Sequence, residues 1–314
     1  MELSIVIPVY NEEENVEPLI REITEALQPL GKSYEIIAVD DGSQDATFDM
    51  LSKIHHAEKR LKVVRLKRNF GQTAAMAAGL AHARGDVVIM MDGDGQNDPA
   101  DIPALLAELD KGFDLVAGWR HKRQDAFLNR RLPSMIANGL ISMTTKVQLH
   151  DYGCTLKGMT REVARDLKLY GEMHRFIPAI AYERGARVAE LKVNHRPRLR
   201  GKSKYGITRT LRVVLDLLTV KFLISYSTRP SHVFGPIGVI SGLAGFALAI
   251  SLTLEKLIYG ANIGDRPLLL LAILLIFIGF QFVTMGLLGE MLARTYHESQ
   301  GKPVYAVREV LGEG

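Results

Sequence analysis

Apolar and polar positions alternate in blocks along the first 120 residues. Leu3–Val9 is a short β-branched run with a proline near its end, the pattern of a buried parallel strand. Asn11-Glu-Glu-Glu-Asn15 then places acids at the positive end of a helix, and Val16, Leu19, Ile20, Ile23 and Leu27 follow at helical spacing. The same reading predicts strands over Tyr34–Val39, Leu61–Leu66, Asp86–Met91 and Asp114–Ala117. Between them it predicts helices over Ala46–His56, Thr73–Ala83 and Pro99–Lys111. Strand and helix alternating through short links predict an α/β domain with a doubly wound, mostly parallel sheet. Ligands of such sheets bind beyond the carboxyl ends of the strands. Those ends carry Glu12, Asp40, Asp41, Asp92 and Asp94.

After residue 120 the pattern changes. Residues 121–160 are less regular, with a mostly uncharged segment at 132–147. From 205 to 226, Ile207, Leu211, Val214, Leu215, Leu218 and Phe222 share a helical face opposite Arg209, Arg212 and Asp216, which predicts an amphipathic helix in a membrane interface or packed on the sheet domain. Val233–Leu254 and Pro267–Gly289 are uncharged and strongly apolar. Each is long enough to cross a hydrocarbon core of about 30 Å at about 1.5 Å per residue. The expected organisation is a catalytic domain at 1–204, a juxtamembrane helix at 205–230, a transmembrane hairpin at 231–293 and a C-terminal tail at 294–314.

Charge refines this. Between Lys192 and Arg229 ten Lys or Arg face one acid, Asp216, within a chain of net charge +4. Beside a span, that block predicts an integral inner-membrane protein with its catalytic domain and both termini cytoplasmic, and a contact for anionic lipid or phosphate. Nucleic acid is not expected, because no aromatic platform or helix-turn-helix pattern accompanies the basic stripe. The single cysteine, Cys154, excludes an internal disulfide, and the N-terminus lacks the pattern of a signal peptide. The Gly/Ser/Ala-rich stretch Val233–Leu254 is compatible with close helix packing in a homo-oligomer.

Asp92-Gly-Asp94 follows a buried strand. Two carboxylates one residue apart can share Mg²⁺ or Mn²⁺, Gln96 adds a neutral oxygen, and the glycines let a ligand approach. An isolated Asp/Gly turn would be an ordinary helix cap. Asp40-Asp41 at the end of another strand of the same sheet argues otherwise, since clustered acids need a cation or a donor-rich ligand. There is no G-x-G-x-x-G after the first strand, no P-loop, no H-E-x-x-H and no G-x-S-x-G, which excludes the common dinucleotide, NTPase, zinc and serine-esterase classes.

Pro8-Val-Tyr-Asn-Glu12, Val39-Asp-Asp-Gly-Ser-Gln-Asp45, Asn69-Phe-Gly71 and Asp92-Gly-Asp-Gly-Gln96 resemble family 2 glycosyltransferases of the GT-A fold. With two C-terminal apolar segments, the chain resembles the polyisoprenyl-phosphate glycosyltransferases. The resemblance implies a nucleoside pocket lined by Pro8, Tyr10, Glu12 and Asp40 and shaped by Asp41 and Gly42. It implies that Asp92, Asp94 and Gln96 hold the metal and diphosphate, and that Arg120 faces the donor phosphates. Arg131 and Ser134 match an acceptor loop for the lipid phosphate, and Arg200 and Lys204 a basic loop over the site. Asp151 and Lys157 match an acid–base element beside the sugar, where Cys154-Thr155 replace the family's frequent Ser-Gly. The catalytic set is thus Asp94, Arg120, Arg131 and Asp151.

The implied reaction is inverting transfer from a UDP- or GDP-linked sugar to a membrane polyprenyl phosphate, a step of cell-envelope glycan synthesis. A phosphate acceptor is already ionised and needs no dedicated base. Transfer to a lipid hydroxyl would need one, and Asp151 and Glu172 are the candidates. A non-catalytic module that binds a nucleotide sugar and docks a partner is the remaining alternative.

Overall fold

Among the described residues eight strands form one sheet: β1 (Leu3–Val9), β2 (Tyr34–Asp40), β3 (Leu61–Leu66), β4 (Val87–Met90), β5 (Leu115–Arg120), β6 (Lys157–Thr160), β7 (Val188–Val193) and β8 (Val307–Leu311). The computed structural model describes residues 1–121, 149–171, 173–197 and 303–312, and scattered helical positions between 277 and 295. The strand order is β7-β5-β6-β4-β1-β2-β3-β8. β4, β1, β2 and β3 run parallel, β6 runs antiparallel to both β4 and β5, and β8 runs antiparallel to β3. The helices are α1 (Val16–Leu27), α2 (Thr47–Ala57), α3 (Gln72–His82), α4 (Ile102–Asp110), α5 (Arg161–Asp166) and α6 (Ile177–Glu183).

All seven residues of β1 are buried, as a central strand covered on both faces requires. The α1 stripe Val16, Leu19, Ile20, Ile23 and Leu27 is buried and joins the core with Ile5, Ile7, Ile36 and Leu105. The alternating pattern of the first 120 residues therefore forms the doubly wound sheet that it predicts. β6 and β7 were not legible. β6 has four residues, Lys157-Gly-Met-Thr160, and β7 is an edge strand with a half-exposed Val-Ala-Glu-Leu-Lys-Val repeat. Residues 307–311, read as part of a tail, are the opposite edge strand.

The transmembrane hairpin does not stand. Among the described residues no helix is long and apolar enough to cross a membrane. The longest, α1, has 12 residues. At about 1.5 Å per residue that is roughly 18 Å, against a core of about 30 Å. The membrane-spanning reading of 233–254 and 267–289 is withdrawn, and with it the bilayer partner and the integral-membrane localisation. Most of those two segments, the uncharged segment at 132–147 and the predicted helix at 205–226 lie outside the described residues. The chain divides into one unit of Met1–Val220 with Pro303–Gly314, and a second of Lys221–Lys302. In the second, the described positions are helical, and Thr284 donates to the Phe280 carbonyl at 2.8 Å.

Candidate active site

The nucleoside end begins where β1 and β2 stop. Asn11 has φ 52°, a left-handed conformation that asparagine tolerates better than most residues. That turn is laced to the loop after β2. Asn11 N–H donates to Ser43 Oγ at 2.9 Å, Gln44 N–H to Asn11 Oδ1 at 2.8 Å, and Glu12 N–H to Thr47 Oγ1 at 2.9 Å. Pro8 lies within β1 opposite Val39 of β2, with Tyr10 half-buried just beyond the strand. Glu12 accepts from Asn15 Nδ2 at 2.6 Å.

Asp40 and Asp41 point to different tasks. Asp40 is fully buried; its Oδ1 accepts from Ser43 N–H at 3.0 Å, while Oδ2 accepts no hydrogen bond and lies 3.6 Å from Arg65 Nε. Asp41 is turned inward, accepting from the Phe70 and Gly71 N–H groups at 2.7 and 2.9 Å. It thereby fixes the Asn69-Phe-Gly71 turn that opens α3, and burial raises its pKa from the ordinary value. Gly42 has φ 67°, and a Cβ there would lie 2.5 Å from the Arg68 carbonyl carbon. Only glycine lets these two loops meet.

Beyond β4, a Cβ on Gly93 would lie 2.5 Å from Val9 Cγ1, so glycine lets the Asp92–Gln96 turn cross the end of β1. Asp92 is held from two sides. Its Oδ1 accepts from Gln72 Nε2 at 2.7 Å, at the first residue of α3, and its Oδ2 from the Thr155 hydroxyl. Its own N–H donates to Asn97 Oδ1 at 3.0 Å. Asp94 Oδ1 accepts from Gln96 N–H at 3.1 Å. The turn is strapped from outside by residues 194–196. Arg196 pairs with Glu22 at 2.6 Å and Asp98 at 2.7 Å, and its N–H donates to the Gln96 carbonyl at 2.9 Å.

At the end of β5, Arg120 grips Asp151 with two bonds, Nε to Oδ2 at 2.6 Å and Nη2 to Oδ1 at 2.9 Å. Asp151 also accepts from Gly153 N–H at 3.1 Å. Burial opposes the Arg120 charge, but the Asp151 carboxylate more than offsets it and raises the arginine pKa. Glu190 on β7 organises this loop, accepting from the His150 and Asp151 N–H groups at 2.8 and 3.0 Å. Lys157, the first residue of β6, is buried with its ammonium on the Cys154 carbonyl, and burial lowers its pKa. Cys154 is fully buried, its thiol pushed up to about 11 by burial, so it is a packed residue and not a reactive one.

Asp40, Asp41, Asp92, Asp94, Gln96 and Arg120 thus lie on strand ends or the loops that follow them, and Asp151, in the segment leading into β6, is bound to Arg120 there. Arg131, Ser134, Arg200, Lys204 and Glu172 lie outside the described residues. The contacts of Gln72, Thr155, Glu190 and Arg196 escaped sequence reading, because each acts on a partner between 20 and 174 positions away that only the topology brings near. Among the described residues no group of three or more His, Cys, Asp and Glu side chains is poised around one point. A cation here would be held by Asp92 and Asp94 together with ligand oxygens, not by an all-protein cage. The donor set suits that: burial, and then the Asp94 charge, push the Asp92 carboxyl up to about 6. A hard cation would add positive charge beside the two carboxylates.

This has a consequence for pH. A folded-state value raised from 3.8 to about 6 contributes stability that is present below pH 4 and lost as pH rises through 6. Metal-free protein is therefore expected to lose thermal stability relative to Asp92→Asn between about pH 4 and pH 7, with no further divergence above. Parallel melting curves across that range would show that Asp92 carries no such strain.

The glycosyl transferase family 2 model matches residues 4–168 of this chain. Over 317 aligned positions the chain is 45% identical to dodecaprenyl-phosphate galacturonate synthase of Rhizobium johnstonii, covering 100% of this chain and 94% of that protein. Among solved structures, glucosyl-3-phosphoglycerate synthase of Mycobacterium tuberculosis, in complex with Mn²⁺ and UDP-glucose, superimposes with a TM-score of 0.54 at 19% identity, covering 70% of this chain and 78% of that one. Mannosyl-3-phosphoglycerate synthase of Rubrobacter xylanophilus gives 0.58 at 18% identity, covering 71% and 74%. At these identities the structural likeness bears on the fold alone.

Proposed function

We propose, from the premise that this chain belongs to glycosyl transferase family 2, that it transfers a sugar from a nucleoside diphosphate sugar to a polyprenyl phosphate with inversion at the anomeric carbon. The observation that carries this reading is that Asp40, Asp92, Asp94 and the Arg120–Asp151 pair lie at one edge of the sheet, where β2, β4 and β5 end. Asp40 offers a buried acceptor, Oδ2, with no hydrogen bond. A nucleobase N–H meets that need, and one free oxygen matches the single imide N–H of uracil better than the paired donors of guanine.

Asp94 and Asp92, with Gln96 beside them, would hold Mg²⁺ or Mn²⁺, which when bound offsets the charge growing on the departing diphosphate. The chain's own groups do the rest. Arg120 is locked by Asp151 into one orientation, so its positive charge costs no reorganisation as the sugar–phosphate bond breaks. The acceptor phosphate oxygen attacks the anomeric carbon from the face opposite the leaving group. Arg131, Ser134, Arg200 and Lys204 are the residues we assign to the acceptor phosphate.

Transfer to a hydroxyl is the weaker reading for a specific reason. Asp151 is the candidate base among the described residues, and both of its oxygens are engaged by Arg120. A carboxylate so committed is a poor proton acceptor. The 45%-identical relative makes a galacturonate donor the first to offer. The test is a panel of UDP-galacturonate, UDP-glucose and GDP-mannose with dodecaprenyl phosphate, reading nucleoside diphosphate release. Release that depends on the lipid phosphate is expected with a UDP sugar. No lipid-dependent release from any donor would refute the reading.

A further inference from the structure

Asp40, Arg65 and Glu309 form a row across three strands. Asp40 of β2 is in register with Arg65 of β3, and Arg65 with Glu309 of β8, so the three side chains leave the same face of the sheet. Their charges alternate. The last member comes from the C-terminal strand, 244 positions from the arginine it meets. The strand is well seated. Val63, Val64, Arg65 and Leu66 pair with residues 307–311, the register shifts between Arg65 and Leu66, and Lys67 N–H donates to the Ala306 carbonyl at 2.9 Å.

The arginine is shared unequally. Its Nη1 reaches Glu309 Oε1 at 3.2 Å, within hydrogen-bond distance, and its guanidinium lies 4.0 Å from the centre of the Phe48 ring. Its Nε stops 3.6 Å from Asp40 Oδ2, too far for a hydrogen bond. Asp40 is fully buried, so bulk water does not satisfy that oxygen either. An unfilled buried acceptor beside a guanidinium is costly, and closing the remaining gap would fill it. Glu309 and Phe48 are the other partners of the guanidinium.

We infer that Glu309 is a positioning residue for the nucleoside end of the site: by holding Arg65 off Asp40, the C-terminal strand keeps Asp40 Oδ2 open for a base N–H. This rests on the reading of Asp40 as the nucleoside acceptor. It makes residues 307–311 part of the nucleotide site although they follow the whole second unit in sequence. With Glu309 neutralised, Arg65 has one carboxylate left and closes on it, and an incoming base must then compete with an internal donor.

The test is UDP binding by calorimetry to the full-length protein, with divalent cation present. Glu309→Gln is expected to weaken UDP about fivefold, the scale of one partly exposed ion pair. Uridine diphosphate methylated at N3, which lacks the N–H, is expected to bind wild type and Glu309→Gln alike. In an Arg65→Met background, Glu309→Gln should add nothing. A Glu309→Gln protein with unchanged or tighter UDP affinity, or with equal losses for UDP and its N3-methyl form, would overturn the assignment of Glu309. UDP affinity that is absent in wild type, or untouched by Asp40→Asn, would instead overturn the nucleoside reading beneath it.

Discussion

Asp94→Ala is expected to lower turnover by about 10²–10³-fold with little change in stability, because it removes a ligand of the cation that would stabilise the leaving diphosphate and leaves the sheet untouched. Asp94 is half-buried on a turn beyond β4, and the hydrogen bond it accepts from Gln96 N–H stays within that turn. The turn itself is held by other means. Asn97 accepts from Asp92 N–H, and Arg196 ties Asp98 to Glu22 on α1. The loss should therefore appear in kcat/KM and in the cation concentration needed for half-maximal rate, with a thermal midpoint near wild type. Wild-type turnover of radiolabelled nucleotide sugar by Asp94→Ala would remove Asp94 from the cation and diphosphate site.

Arg120→Met is expected to act on the fold as well as on the reaction. Asp151 is 3% exposed at its side chain, and the Arg120 guanidinium is bound to it through two hydrogen bonds. Removing one partner of a buried pair leaves an uncompensated charge and costs about 3–5 kcal/mol. Replacing both, as Arg120→Met with Asp151→Leu, avoids that and is expected to recover much of the stability without recovering activity. Urea unfolding of the two variants checks this. A single variant within about 0.5 kcal/mol of wild type would show that the pair is not buried together in solution.

The parts that could be read from the chain share one property: their signal is local. Seven buried residues in β1, the α1 stripe from Val16 to Leu27, and the turns at Asp40–Ser43 and Asp92–Gln96 each announce themselves within a dozen positions. Since a parallel sheet presents all its strand ends on one edge, those local signals also located the acidic rim. The apolar segments after residue 230 show the limit of the same approach. Hydropathy measures the transfer preference of a segment in isolation, and it led to membrane-spanning helices of which the described residues contain none.

What lay beyond reading was pairing between distant positions. Whether Asp92 would be a free ligand or a tethered one depended on Gln72 and Thr155, and the orientation of Arg120 depended on Asp151, 31 positions away. β6 carries too few residues to show a period, and β8 reaches the nucleoside end from the far terminus. Periodicity and motif spacing report which face a residue occupies and which chemistry it brings. They are silent on which opposite charge arrives beside it, because chain separation costs little once the sheet has closed. Here that closure sets Asp40's neighbours, and so decides how the acidic rim is used.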